Sequence, residues 1–309
     1  KAGDARTGPL PLHPMTVGDI LDGVFKLFKA NARSIVVIVA AFTVPLQLVA
    51  AWAQRDLLSG AGLFDALGDP SVLDAQAAQP FGDVGSSLVV SLGGLLVLPF
   101  MAGAISQVVA ASYLGETLAA GPALRRTLGR FWALLGGWIL SHLPLLVGIV
   151  GGLVLVALGA GLGALVVVGG LGLLVLGPLV LVVSALSVVV APAIVVEELG
   201  PLDGVRRSWS LVWRRFWPVV GISLLAGLIT SLVAGALGFV PSFVALFFGL
   251  EHGWIVLAVG GIVASLVSEP IVAIAATLVY FDLRIRIEGF DLQVIAAGLA
   301  VPGAASPGR

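Results

Sequence analysis

From Ala133 to Ala191 the chain carries not one charged side chain, and its only ionisable group there is His142. A single helix of that length would far exceed the roughly twenty residues that cross a bilayer core. The stretch must fold back on itself within a membrane. GAGLG at residues 159–163 supplies a tight turn, so two spans are expected, at 133–157 and 164–191. Four more apolar runs, at 34–53, 86–114, 219–240 and 254–280, complete the pattern. The expected fold is an all-α integral membrane protein with six transmembrane helices. Composition agrees: 59% of residues are apolar and 11% charged, where soluble domains run nearer a half and a quarter.

The spans contain Pro45, Pro99 and Pro270, which membrane helices tolerate where neighbours satisfy the freed backbone groups. Pro241 to Gly253 reads as a short apolar connector partly within the membrane. Between Arg55 and Asp83 lies the one long loop, acidic through Asp56, Asp65, Asp69, Asp74 and Asp83. Residues 1–15 read as a disordered lead without the apolar segment of a signal peptide. Residues 16–298 form one membrane domain, and residues 299–309 read as a disordered tail.

A repeated motif organises the domain. Leu202 to Trp217 reads LDGVRRSWSLVWRRFW; its first four residues recur as Leu21-Asp22-Gly23-Val24, and a reduced copy, ALRRTLGRFW, spans Ala123 to Trp132. Each copy stands just before an apolar run. In the last copy, Leu202, Val205, Trp209, Val212, Trp213 and Phe216 keep helical spacing. Asp203, Arg206, Arg207, Ser210 and Arg214 take the other face, with Asp203 and Arg207 spaced for an i,i+4 pair. The first copy opens with Thr16 and Asp19, the spacing of a capping box. Its Val17, Ile20, Leu21, Val24, Leu27 and Phe28 oppose Asp22, Lys26, Lys29 and Arg33. In the reduced copy, Leu124, Leu128, Phe131 and Trp132 line one side. Helices of this kind lie in the membrane interface. The architecture expected is three parallel-repeated hairpins, each preceded by a cytoplasmic amphipathic interfacial helix. Parallel repeats commonly surround an axis along the membrane normal; the functional reading is a pathway between units, and the plain one is a duplicated unit that merely packs.

Of the sixteen Lys and Arg, all but Arg55 fall on one side of a six-span arrangement. The positive-inside rule then places both termini in the cytoplasm, and a bacterial cytoplasmic membrane is the expected location.

Glu269 is the foremost candidate for chemistry, near mid-span beside Pro270. An ionisable group there costs at least about 2.5 kcal/mol and usually faces a protein interior or a water-filled cavity. It reads either as a proton or cation site or as a protonated group bonded to a neighbouring helix. His142, Gln47 and Gln107 are the other intramembrane polar candidates, and the plain reading of each is an interhelical hydrogen bond. Glu197 and Glu198, at the boundary, are expected to pair with Arg206 or Arg207. Lys26, Lys29, Arg33, Arg125, Arg126, Arg130, Arg206, Arg207, Arg214 and Arg215 are candidates for anionic lipid headgroups, at about 1 kcal/mol each; the plain reading is that they only set topology. Membrane lipids are thus the expected partners, with a membrane-protein partner or a second copy as further candidates and no nucleic acid. With no Cys and only His13, His142 and His252, no metal or cofactor is expected. The 41 Gly suit close helix approach.

Three stretches resemble a known family. MTVGDILDGVFKLFKAN near the start, LGPLDGVRRSWSLVWRRFW, and LVYFDLRIRIEGFDLQ near the end are similar to the membrane domain of glycerophosphoryl diester phosphodiesterases, over roughly residues 14–298. The resemblance implies a stand-alone membrane domain of the actinobacterial type. In full-length relatives that domain is joined to a TIM-barrel hydrolase whose catalytic His lies in a His-Arg-Gly element. Here His13 precedes Pro14, His142 precedes Leu143 and His252 precedes Gly253, so the hydrolase activity is not implied. The expectation is a non-enzymatic lipid-associated scaffold or anchor; the alternative is a transporter of a small or amphipathic solute that uses Glu269.

Overall fold

The computed structural model describes residues 14–53, 84–113, 115–158, 162–245 and 249–289. The lead, the acidic loop and the tail lie outside these residues, as does most of the GAGLG turn. Every described element is an α-helix. They are α1 (Val17–Ala30), α2 (Ala32–Ala53), α3 (Val84–Tyr113), α4 (Ala120–Leu128), α5 (Phe131–Leu158), α6 (Leu162–Ser187), α7 (Val190–Val196), α8 (Pro201–Trp213), α9 (Phe216–Ala245) and α10 (Gly249–Glu288). Among the described residues, six helical stretches are long and apolar enough to cross a membrane: Ala32–Trp52, Gly93–Tyr113, Phe131–Gly148, Leu174–Val196, Phe216–Ala245 and Trp254–Glu288. The surface agrees, because α9 exposes Leu224, Leu228 and Leu232 by more than half, a one-sided apolar stripe that water would not tolerate at this length.

Local chemistry sets the helix ends. Thr16 caps α1 through the capping box with Asp19, satisfying two of its first free N–H groups. Gly200 precedes α8 and Pro201 opens it, where the missing proline N–H costs nothing. The last turn of α7 closes when Leu199 N–H donates to the Ile194 carbonyl. This places Glu198 at φ 55°, a left-handed position usually held by glycine.

α2 packs on α3, α5 on α6, and α9 on α10, while α10 also packs against α1, α2 and α3. Ile271, Ile274 and Leu278 of α10 join Ala104, Ile105 and Val108 of α3 in the main core, with Ile20, Leu27 and Ile38 from α1 and α2. Between α3 and α10 the buried hydroxyls of Ser106 and Thr277 lie 2.8 Å apart, one donating to the other. A second core gathers Ile194, Val190 and Leu134 against Val205 of α8.

One expectation changes. Pro241 does not begin a connector but lies inside α9. Its ring occupies the space above Gly260 of α10, where an added Cβ would come within 2.2 Å of it, and Ser242 Oγ donates to the Gly238 carbonyl one turn back. Helix α10 runs beyond the expected span of 254–280 to Glu288, so the polar stretch FDLRIRIE is helical. At 1.5 Å per residue α10 is about 60 Å long, twice the hydrocarbon thickness. Helix α8 divides its apolar positions between the protein and the outside. Its buried residues are Gly204, Val205, Ser208, Leu211 and Val212, while Leu202 and Trp213 are exposed. The small residues Gly204 and Ser208 on the buried face allow close approach. Gly204 shows how close: a Cβ there would lie 2.3 Å from Ile194 Cγ1.

Candidate functional site

The packing of α8 brings Arg207 to the C-terminal end of α10. Its guanidinium donates from Nε and Nη2 to the Glu197 carboxylate, at 2.7–3.0 Å. It also donates to Glu288, from Nη1 in a short contact and from Nη2 at 2.9 Å. Arg284, one turn back on α10, reaches Glu288 at 3.3 Å and Glu197 at 3.7 Å, and the Tyr280 hydroxyl donates to Glu197. Two cations and two carboxylates thus balance in a site where each side chain keeps a quarter or less of its surface exposed. The hydrogen bond from Arg207 to Glu288, joined by the bonds to Glu197, outweighs desolvation and holds the Arg207 guanidinium protonated beyond its ordinary range. Such forked, charge-assisted pairs fix geometry as well as charge. The cluster ties the end of α7, the middle of α8 and the end of α10 into one joint. Asp203 forms no pair with Arg207 among the described residues: the i,i+4 spacing that favours one yields to two buried carboxylates.

A second clasp lies on the adjoining face of α10. The Met15 N–H donates to Asp282 Oδ1 at 2.8 Å; Arg286 bridges both Asp282 oxygens at 2.9 Å and donates to the Met15 carbonyl at 2.7 Å. This holds the start of α1 against α10. Elsewhere, Arg130 donates at 2.7 Å to both the carbonyl and the carboxylate of Glu198. Ser208 Oγ donates to the Leu186 carbonyl, which the break after α6 leaves without a helical partner.

The four intramembrane polar candidates are not brought together. His142 Nδ1 lies 2.9 Å from the Trp138 carbonyl and 3.0 Å from Ser141 Oγ, and its ring stacks on Trp138. It lines a cavity of about 140 Å³ with Ser187, whose buried hydroxyl has no partner among the described residues. Gln107 lines a polar cavity of about 450 Å³ with Glu116, Arg126, Arg130 and Glu198. Gln47 lies against the backbone of Gly261. Glu269 is half-buried, lines none of the described cavities, and makes no polar contact with His142 among the described residues.

The basic candidates divide. Arg207 and Arg130 hold protein carboxylates, and Lys26 pairs with Asp22 at 2.6 Å. Among the described residues, Lys29, Arg33, Arg125, Arg126, Arg206, Arg214 and Arg215 have no carboxylate partner. Glu197 and Glu198 are both paired, Glu197 with Arg207 as expected and Glu198 with Arg130. The aromatic residues beside these cations point outward: Trp132 is 78% exposed, Trp213 67% and Trp217 73%.

The sequence reading missed Tyr280, Asp282, Arg284, Arg286 and Glu288. Their signal is two interleaved i,i+4 series, 280/284/288 and 282/286, in the polar extension of α10 beyond the expected span. One comparison with known proteins finds a match: the family described as "Domain of unknown function (DUF7847)" matches residues 15–283. No curated protein matches, and no solved structure does. The family description carries no link to the glycerophosphoryl diester phosphodiesterases.

Proposed function

The chain belongs to the DUF7847 family of domains of unknown function, and from the placement of its cations we propose that it is a non-enzymatic, lipid-associated scaffold or anchor of a bacterial cytoplasmic membrane. In this reading α2–α3, α5–α6 and α9–α10 are three parallel hairpins, preceded by the amphipathic interfacial helices α1, α4 and α8. Both termini are cytoplasmic, because the basic ends of α1, α4, α8 and α10 share one side. The likeness to the membrane domain of glycerophosphoryl diester phosphodiesterases belongs to the same proposal.

The observation that carries it is the division of the arginines. Arg207 and Arg130 are consumed in holding the bundle together, while Arg125, Arg126, Arg206 and Arg215 meet no carboxylate among the described residues and stand beside outward-facing Trp132, Trp213 and Trp217. Cations with tryptophan at one level suit the headgroup region of an anionic leaflet. The test is the amount of phosphatidylglycerol retained by the purified protein after detergent exchange, read by native mass spectrometry. Changing Arg125, Arg126, Arg206 and Arg215 together to Gln should lower retention severalfold; unchanged retention refutes the lipid reading.

A second reading is a transporter of a small or amphipathic solute. Glu269 favours it, since a carboxylate beside Pro270 within a spanning helix makes no hydrogen bond or ion pair among the described residues, and such groups often mark substrate or ion paths. Proton-coupled flux in proteoliposomes that disappears in Glu269→Gln would support it, and absence of any flux would exclude it.

A further inference from the structure

Beneath α8 lies an apolar groove of about 710 Å³, within the range of small-molecule sites. Pro144 of α5 and Leu179, Val183 and Leu186 of α6 line one side, and Trp209 of α8 and Arg214, just past its end, line the other. We propose that this groove takes the acyl chain of an anionic phospholipid, with the lipid phosphate on Arg214. The inference deepens the lipid-associated reading above and rests on it.

The chemistry of the lining argues for an amphiphile with a negative head. Apart from Arg214 the wall offers one polar side chain, Ser210, whose hydroxyl is already donated to the Arg207 carbonyl. No acidic residue lines the groove, and Arg214 pairs with no carboxylate among the described residues. A guanidinium at the lip of an apolar trough fits a phosphate forked onto its N–H groups while the tail fills the trough. A zwitterionic headgroup would bring an ammonium with no carboxylate to receive it. The groove is concave because three helices meet there. Ser208 holds α8 onto the end of α6 through the Leu186 carbonyl, and the outward face of α9, by contrast, offers only a convex stripe to ordinary surrounding lipid.

The experiment uses the full chain in phosphatidylcholine nanodiscs with a trace of phosphatidylglycerol bearing a photoreactive diazirine in its acyl chain. After photolysis, adducts are mapped by peptide mass spectrometry. Adducts are expected to concentrate on residues 179–186 and 209–214, and a phosphatidylcholine probe of the same chain length should label these peptides severalfold less. Val182→Trp and Leu179→Trp, which fill the groove, should each remove the adduct; Arg214→Gln, a change at an exposed position that should not affect folding, should reduce it severalfold. Adducts spread evenly over outward faces such as Leu224–Leu232, equal labelling by both probes, or labelling unchanged in Arg214→Gln would each overturn the proposal. Loss of the groove adduct with total phosphatidylglycerol retention intact would be confined to the groove. Loss of total retention in the Arg125, Arg126, Arg206, Arg215 variant tests the wider reading separately.

Discussion

Gly204 is the position where one methyl group should do most damage, and the structure gives the size of the effect. It lies in the repeated LDGV motif on the buried face of α8. A Cβ there would stand 2.3 Å from Ile194 Cγ1 and 2.9 Å from its Cδ1. Carbon atoms rest at about 3.5–4.0 Å, so α8 or Ile194 must move by more than about 1 Å. Ile194 has little room to retreat, because its Cδ1 already lies 2.6 Å from where a Cβ on Gly137 of α5 would sit. A shift of α8 of that size would also stretch the hydrogen bonds of Arg207, which stand at 2.7–3.0 Å to Glu197. Overpacking of this kind costs about 1–3 kcal/mol, set against a gain of up to about 1 kcal/mol from helix propensity. Gly204→Ala is therefore expected to destabilise by about 1–2 kcal/mol net. Ile194→Ala alone should cost about 2–5 kcal/mol by leaving a cavity. Combined, the new methyl enters that cavity, so Gly204→Ala on the Ile194→Ala background should be neutral or stabilising. The four proteins are compared by thermal unfolding in one detergent or nanodisc, and the coupling should be at least about 1 kcal/mol. Additive effects, or a Gly204→Ala protein that melts with the unaltered one, would refute the close approach of α7 and α8.

Other expectations rest on single contacts. Arg207→Gln leaves Glu197 and Glu288 short of a cation and should cost about 2 kcal/mol, whereas Arg206→Gln, its exposed neighbour, should stay within about 0.5 kcal/mol; equal melting temperatures for the two would remove the joint. At Glu198, held at φ 55°, glycine should nearly offset the lost surface pair with Arg130 by easing the backbone, while valine should fall about 1–2 kcal/mol below glycine; unfolding transitions in the reverse order would contradict this. Asp282→Asn and Arg286→Gln should each speed amide exchange or proteolysis at Met15 to Ile20, where the start of α1 is clasped, and exchange unchanged in both would show that the clasp holds nothing.

Much of the helical layout was legible because its causes are local. The charge-free stretch from Ala133 to Ala191 demanded a fold-back, and the helices do end at Leu158 and resume at Leu162. The Thr16–Asp19 spacing placed the start of α1 to the residue. The charged residues in FDLRIRIE mark an exit from the apolar span but say nothing of the helix end, and nothing in them breaks a helix before Gly289, which sits at φ 61°.

The candidate site was less legible, for a different reason. Glu197 and Tyr280 are 83 residues apart, and no local pattern links them. Sequence alone determined six apolar helices, their approximate limits and the clustering of cations beside them, since hydropathy and helical spacing act within a turn or two of chain. Only the tertiary structure decided which cations serve the protein and which stay free, and which stripe of α8 faces inward. In water an apolar stripe points to the core. Beside a membrane both lipid and protein interior accept apolar side chains, so hydrophobicity cannot orient the helix, and the small residues Gly204 and Ser208 settle its direction by how closely they let it pack.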